Sequence, residues 1–270
     1  MIHVATVHHK TSRWIEVQRE RLGRTIREPY RVYAVLDGVR DPGFHFSAEK
    51  AGTPAERLNF LAREILARAS DEDLLIFMDS DSFPITDKVI PFLRSELPRR
   101  KLAAVRREEN LGEERPHPSF CATTVGFWRD LRGDWTEGPC WRDPRLRDEL
   151  DIGGRLTVQL REAKVDWLGL LRTNRRDLHP VFFAIYGDLV YHHGAGSRDA
   201  VCRYDDHEDA VYACARKLVG YGPGSRGILA RALRSAGRRV VRGWFARRED
   251  LRERVYRKIL EDDEFWRMFL

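Results

Sequence analysis

The run Leu74-Leu75-Ile76-Phe77-Met78, breaking off into Asp79-Ser80-Asp81-Ser82-Phe83-Pro84, limits what this chain can fold into more than any other stretch. An unbroken apolar run of this length suits a strand buried on both faces, as the central strands of a parallel sheet are when helices cover them. A membrane-spanning helix would need roughly 20 such residues. The abrupt change to carboxylates and hydroxyls marks the point where the strand leaves the sheet. Two carboxylates one residue apart at such a point can reach a single hard cation such as Mg²⁺ or Mn²⁺, which favour oxygen ligands and complete their shells with water and substrate phosphates.

The flanking sequence predicts the sheet to which that strand belongs. His3 to His8 and Tyr30 to Leu36 read as strands, separated by a helix over Trp14 to Arg24. A second helix over Ala55 to Ala69 places Leu58, Leu61, Ile65 and Leu66 on one face, with Thr53 as N-cap and Pro54 as its first residue. Further strands are expected at Leu102 to Val105, Phe120 to Phe127, Val165 to Leu168 and Phe182 to His192, with an exposed loop over Glu108 to Pro118 and a helix from Ile152 or Gly153 to Ala163. This alternation predicts an α/β chain with a mostly parallel central sheet, whose ligands bind outside the carboxyl ends of the strands.

Composition narrows the class. The 270 residues carry 48 Lys+Arg against 42 Asp+Glu, a formal net charge of +6, and 42% are hydrophobic, which fits a globular chain and excludes a disordered or membrane-bundle class. Cys121, Cys140, Cys202 and Cys214 lie far apart with no C-x-x-C pair, so neither structural zinc nor a disulfide scaffold is expected. The N-terminus runs straight into a strand without a secretory pattern, which makes the expected location cytoplasmic.

In their order along the chain these pieces resemble glycosyltransferases of the GT-A fold, a Rossmann-like architecture, and especially the family-2-like bacterial enzymes. The resemblance rests on the strand-helix-strand opening, on Val35-Leu36-Asp37-Gly38, on the helix bearing Arg57 and Asn59, and on Leu74 to Pro84, and it spans about residues 1–200. It implies a nucleotide-sugar donor and a saccharide, glycolipid or small-molecule acceptor. Asp79 and Asp81 would form the D-x-D element that holds Mn²⁺ or Mg²⁺ against the donor diphosphate. Asp37 would meet the nucleobase, Arg57 and Asn59 would lie near the nucleotide, Thr6 to His8 would form the adjoining wall, and His8-His9-Lys10 would be a basic loop above it.

The late segment Leu189-Val190-Tyr191-His192-His193-Gly194-Ala195-Gly196-Ser197-Arg198 is similar to the strand-end histidine and glycine-rich turn that supply a further metal or diphosphate contact in such enzymes. Neighbouring strand residues face opposite sides, so at most one of His192 and His193 joins the site. Arg198 would offset diphosphate charge. Asp151 corresponds to the family's base, although Asp-Ile-Gly-Gly replaces the usual Glu-Asp pair; its structural alternative is a cap on the following helix, and Asp148 and Glu149 are lesser candidates for the base. Trp128, Trp135 and Trp141 fall where an acceptor pocket is expected, with core packing as the alternative.

Residues 1–221 are therefore read as the GT-A domain and 222–270 as a basic amphipathic helical extension. Between 222 and 248 stand Arg226, Arg231, Arg234, Arg238, Arg239, Arg242, Arg247 and Arg248 with no acid, a pattern suited to packing on the domain or to peripheral contact with the inner face of an anionic membrane, with nucleic acid third. Glu249 to Leu270 is expected as a solvated helix. Two other readings compete with a transferase. A nucleotidyltransferase would want a Gly-rich loop after the first strand, where Val7-His8-His9-Lys10-Thr11-Ser12 has none, and a degenerate GT-A domain would act only as a membrane- or polyanion-binding module.

Overall fold

The computed structural model describes residues 1–109, 115–139, 150–179, 182–194, 196 and 249–270. A seven-stranded sheet forms its centre, in the order β10-β6-β7-β4-β1-β2-β3. These strands are β1 (Ile2–His9), β2 (Tyr30–Asp37), β3 (Phe46–Ala48), β4 (Leu74–Asp79), β6 (Leu102–Val105), β7 (His117–Thr124) and β10 (Leu168–Leu170). All neighbours pair parallel except β7, which runs antiparallel to both β4 and β6.

Side chains alternate across this sheet, and both faces are buried. Ile2 and Val4 of β1, Val32 of β2, Ile76 and Met78 of β4 and Phe120 and Ala122 of β7 belong to one hydrophobic cluster. Ala5, Tyr33, Val35, Leu75, Phe77 and Cys121, their sequence neighbours, belong to the other. Helices α1 (Arg13–Thr25) and α3 (Val89–Arg100) cover the first face; α2 (Pro54–Leu66), α4 (Val125–Leu131) and α5 (Gly154–Glu162) cover the second. The result is a three-layer α/β architecture whose strands can be apolar throughout because no face meets water. Helix α2 begins as expected: the Thr53 hydroxyl accepts from the Glu56 N–H, the Glu56 carboxylate accepts from the Thr53 N–H, and Pro54 follows the cap.

A second sheet, β11 (Ala184–Tyr186), β12 (Val190–His192) and β5 (Ser82–Pro84), is antiparallel in the order β11-β12-β5. The expected single strand over Phe182 to His192 is thus a hairpin, turned by Gly187 and Asp188 at φ 60° and 57°. The expected strand Phe120 to Phe127 ends at Thr124, whose hydroxyl caps α4 by accepting from the Phe127 N–H. The strand expected at Val165 to Leu168 begins only at Leu168, because Val165 and Trp167 instead pack against the α5 side of the core. Strands β8 (Glu137–Pro139) and β9 (Leu150–Ile152) pair as a small separate ribbon.

The C-terminus departs furthest from expectation. Glu249–Glu261 forms helix α6, followed by a 3₁₀ turn over Phe265–Phe269. Val255, Ile259, Phe265 and Phe269 are buried within the first cluster, so this end is a docked part of the core and not a solvated helix. Arg21 of α1 fixes it by donating to the backbone oxygens of Ile259, Asp262 and Asp263. All of 222–248, the Arg-rich part of the extension, lies outside the described residues, as does 197–221 before it. Among the described residues no helix is long and apolar enough to cross a membrane.

Docking of this kind predicts a large stability cost. Phe265→Ala should lose about 3–5 kcal/mol in urea unfolding, the usual range for removing a buried phenylalanine ring. A solvated terminus would leave the unfolding midpoint unchanged.

Candidate metal centre

The strand order reverses at β1, with β2 and β3 to one side and β4 and β7 to the other. Crevices at such reversals, beyond the carboxyl ends of the strands, are where α/β sheets bind ligands. Asp79 ends β4 beside Val7 of β1. Ser80 and Asp81 make the turn into β5, and the antiparallel pairing of Ser82 with His192 brings the histidine back to that turn. His192 Nε2 lies 3.7 Å from Asp79 Oδ2 and 3.6 Å from Asp81 Oδ1. Ligand atoms of all three residues fall within 4.8 Å of one another.

Several groups hold this turn. Gln18, buried in α1, donates through Nε2 to the backbone oxygens of Asp79 at 2.8 Å and Ser82 at 2.9 Å. The Gly196 N–H donates to Asp81 Oδ2 at 2.7 Å, and Trp14 Nε1 donates to Gly196 O at 3.0 Å. A Cβ on Gly196 would stand 2.5 Å from both the Asp81 Cβ and Trp14 Nε1, so only glycine fits. The His193 N–H donates to Asp81 O, and the Ser82 hydroxyl to Tyr191 O, which fastens β5 to β12.

Burial pushes the His192 imidazole down to about 4, with Asp81 opposing the shift and Arg107 adding to it. The ring is therefore neutral near pH 7 and keeps a lone pair for a metal. Two carboxylates and one neutral imidazole form a mixed oxygen and nitrogen donor set that fits a divalent cation such as Mn²⁺, whose charge would balance theirs.

His193 is not brought to this centre. Its ring packs 4.7 Å from Trp14 and 4.9 Å from Phe183, and its Nδ1 lies 3.0 Å from the Tyr191 hydroxyl. Burial holds its pKa well below the ordinary range, so it serves as a neutral core histidine. The alternation expected of a strand end thus separates the pair.

The same alternation displaces Thr6 and His8 from the expected wall. They share their face of β1 with Ile2 and Val4, toward α1, and both are fully buried. Burial lowers His8 to about 4, and its ring lies beside Phe44. The opposite face of the strand ends carries His9, Asp37 and, from α2, Arg57. Asp37 Oδ2 accepts from Arg57 Nη2 at 2.5 Å and pairs with His9 Nδ1 at 2.6 Å. The His9 hydrogen bond, with Arg57 reinforcing it, holds the Asp37 carboxyl below its usual range.

Asn59 stands apart from this cluster. Its amide donates to Asp134 Oδ1 at 2.6 Å and accepts from the Trp135 N–H at 2.9 Å, tying α2 to the segment before β8. Trp128 and Trp135 are buried against Phe77, at 4.7 and 5.1 Å, and belong to the core and not to an acceptor pocket. Asp151 sits half-exposed in β9, its Oδ2 accepting from Arg115 Nη2 at 2.5 Å and its Oδ1 from the Ile152 N–H at 2.7 Å. It does not cap α5, whose N-cap is Gly153 at φ 84°. Arg198, Trp141, Asp148 and Glu149 lie outside the described residues.

Sequence reasoning missed Trp14, Gln18 and His117. Trp14 and Gln18 are four residues apart and share one face of α1, a spacing visible in the sequence. The site they reach is set by tertiary packing. His117 falls in the segment expected to be an exposed loop, yet it begins β7 and its ring lies 5.9 Å from that of His192.

No protein-family model matches the chain, and no curated protein matches it. Solved structures with a similar fold include a mannosyltransferase from Pyrobaculum calidifontis, determined in complex with GDP-Man and Mn²⁺, at 11% identity and a TM-score of 0.47 over 93% of this chain and 73% of that one. Another, from Desulfovibrio desulfuricans G20, is a structure assigned to the nucleotide-diphospho-sugar transferases, at 12% identity and a TM-score of 0.44 over 90% and 97% of the two chains. A third is the galactosyltransferase LgtC in complex with donor and acceptor sugar analogs, at 11% identity and a TM-score of 0.34; the match covers 47% of this chain and 59% of the galactosyltransferase.

The geometry separates the two adjacent histidines experimentally. His192→Ala should weaken Mn²⁺ binding, followed by electron paramagnetic resonance, by at least the roughly tenfold typical of losing even an outer-shell partner. His193→Phe, which keeps a ring between Trp14 and Phe183, should retain it. The reverse result would assign the metal to His193. Gly196→Ala should also weaken Mn²⁺ binding, since the new methyl must displace Asp81 or Trp14; unaltered affinity would show that the Gly196 turn does not position Asp81.

Proposed function

We propose that this chain is a divalent-metal-dependent glycosyltransferase that moves a sugar from a nucleoside-diphosphate sugar to an acceptor hydroxyl. The observation that carries the reading is the convergence of Asp79, Asp81 and His192 at the point where the strand order reverses. Asp79 and Asp81 are read as the D-x-D carboxylates, and with His192 they would hold Mn²⁺ or Mg²⁺. When bound, the cation would stabilise the negative charge that develops on the departing diphosphate.

The remaining roles are proposals of the same reading. Asp37, oriented by Arg57 and His9, supports a nucleoside-binding end at β2, since its second carboxylate oxygen can accept from a base or ribose. Asp151 is the proposed base; Arg115 and the Ile152 N–H orient its carboxylate, which would take the acceptor proton if the hydroxyl came within hydrogen-bonding distance. Arg198, six residues after His192 in the sequence and outside the described residues, is proposed to offset diphosphate charge. A saccharide, glycolipid or small-molecule acceptor fits this chemistry. A cytoplasmic location is part of the reading, and peripheral contact to an anionic membrane through 222–248 is proposed on the arginine pattern alone.

Melting temperature tests the donor assignment, since a ligand that binds only the native state raises it. One of UDP, GDP, dTDP and CDP should raise it with Mn²⁺ and much less without, and Asp81→Ala should abolish the difference while melting cooperatively. No shift with any nucleotide, or a shift indifferent to Mn²⁺ and to Asp81→Ala, would overturn the reading.

A further inference from the structure

The chain leaves α5 through Lys164, at φ 54°, and returns along Val165, Asp166 and Trp167 to the edge strand β10. A half-open cleft of about 240 Å³ lies against this return, lined in part by Leu160 and Arg161 of α5, by Val165, Asp166 and Trp167, and by Arg106 after β6. Gly169 makes room for the Arg106 wall: a Cβ there would stand 3.0 Å from Arg106 Cδ, so the absence of a side chain lets the arginine stem lie close across β10. None of the three residues of the metal centre lines this cleft.

The lining combines an aromatic ring, a carboxylate and a guanidinium. Leu160 is buried, whereas Val165 and Trp167 pack only partly into the second hydrophobic cluster, which leaves indole surface to meet the carbon face of a sugar ring. Asp166 is exposed and accepts from Arg100 through Oδ2, so Oδ1 remains to accept from a hydroxyl. Arg161 is exposed, and its guanidinium has no hydrogen bond or ion pair among the described residues, so its N–H groups remain to donate. A hydroxyl both donates and accepts, and a carboxylate beside a guanidinium meets both needs. A fully ionised phosphate only accepts. Asp166 would repel it, and so would the carboxyl end of α5, whose last carbonyls carry partial negative charge. Arg106 adds no surplus positive charge, because its Nη2 pairs with Glu108 at 2.8 Å. The volume falls below the roughly 300–1,000 Å³ of sites for drug-sized ligands, as suits a single ring.

We infer that this cleft is an auxiliary carbohydrate site that holds one neutral sugar unit of a saccharide, away from the crevice where transfer is proposed. Binding here needs neither a metal nor a nucleotide, so the inference is tested separately from the transferase reading.

Saturation-transfer NMR on the full chain, in EDTA so that no metal is bound, provides that test. The probes are the methyl glycosides of glucose, galactose, mannose and N-acetylglucosamine, with inorganic phosphate as competitor. At least one glycoside should receive saturation, and phosphate should not displace it. Trp167→Ala should weaken that glycoside by about tenfold, and so should Arg161→Ala, whose exposed position leaves folding undisturbed. Asp81→Ala should leave its binding unchanged. Saturation of no glycoside, displacement by phosphate, binding that survives both the Trp167 and Arg161 substitutions, or loss of binding in Asp81→Ala would each overturn the inference, and none of these results bears on the metal-dependent nucleotide binding predicted above.

Discussion

Two carboxylates held against a buried imidazole repel one another and have lost much of their water, and the surrounding structure is organised to sustain that arrangement. Asp79 and Asp81 both come within 4 Å of His192 Nε2, and Asp81 is almost wholly buried. Like charges brought this close are costly unless other dipoles meet them. Here the Gly196 N–H meets Asp81, the Gln18 amide fixes the backbone on both sides of the turn, and the β5–β12 pairing keeps the histidine in register. A divalent cation would complete what these contacts begin.

Support for the centre reaches the C-terminus. Phe265 packs 4.8 Å from Tyr191 and 6.0 Å from Phe83, the residues beside His192 and Ser82 on the two ligand-bearing strands. Tyr256 of α6 meets the Trp14 ring edge-on at 4.9 Å, and its hydroxyl donates to Arg13 O. Arg13 lies over the Tyr256 ring at 3.4 Å and pairs with Glu253 at 2.6 Å. The terminal helix therefore backs α1, and α1 in turn carries the Trp14 and Gln18 contacts to the centre. Such buttressing is how a site built from turns acquires fixed geometry.

Much of this was legible in the sequence where one residue's neighbours decide its fate. The apolar run of β4, the Thr53-Pro54 start of α2 and the strand at Leu102–Val105 follow from local pattern, and Asp79-Ser80-Asp81 stands out because carboxylates interrupt a buried strand. Alternation separates His192 from His193, and on β1 the same parity turns His9 to the Asp37 side and His8 to the α1 side. The misses depend on distant partners. The aliphatic and aromatic positions of 249–270 look like one face of a solvated helix until α1 and Tyr191 cover them. Arg115 and His117 look like loop residues because their polarity is visible, whereas the Asp151 and Ser119 partners that make their burial tolerable are not.

The account stands on one cation held by three named side chains. Anomalous diffraction at the manganese edge, from crystals grown with Mn²⁺ and a nucleoside diphosphate, addresses that claim directly. A single peak bounded by Asp79, Asp81 and His192 is the predicted result. A peak at other residues, or a nucleotide bound at the β1–β4 crevice with no manganese beside it, would contradict the account.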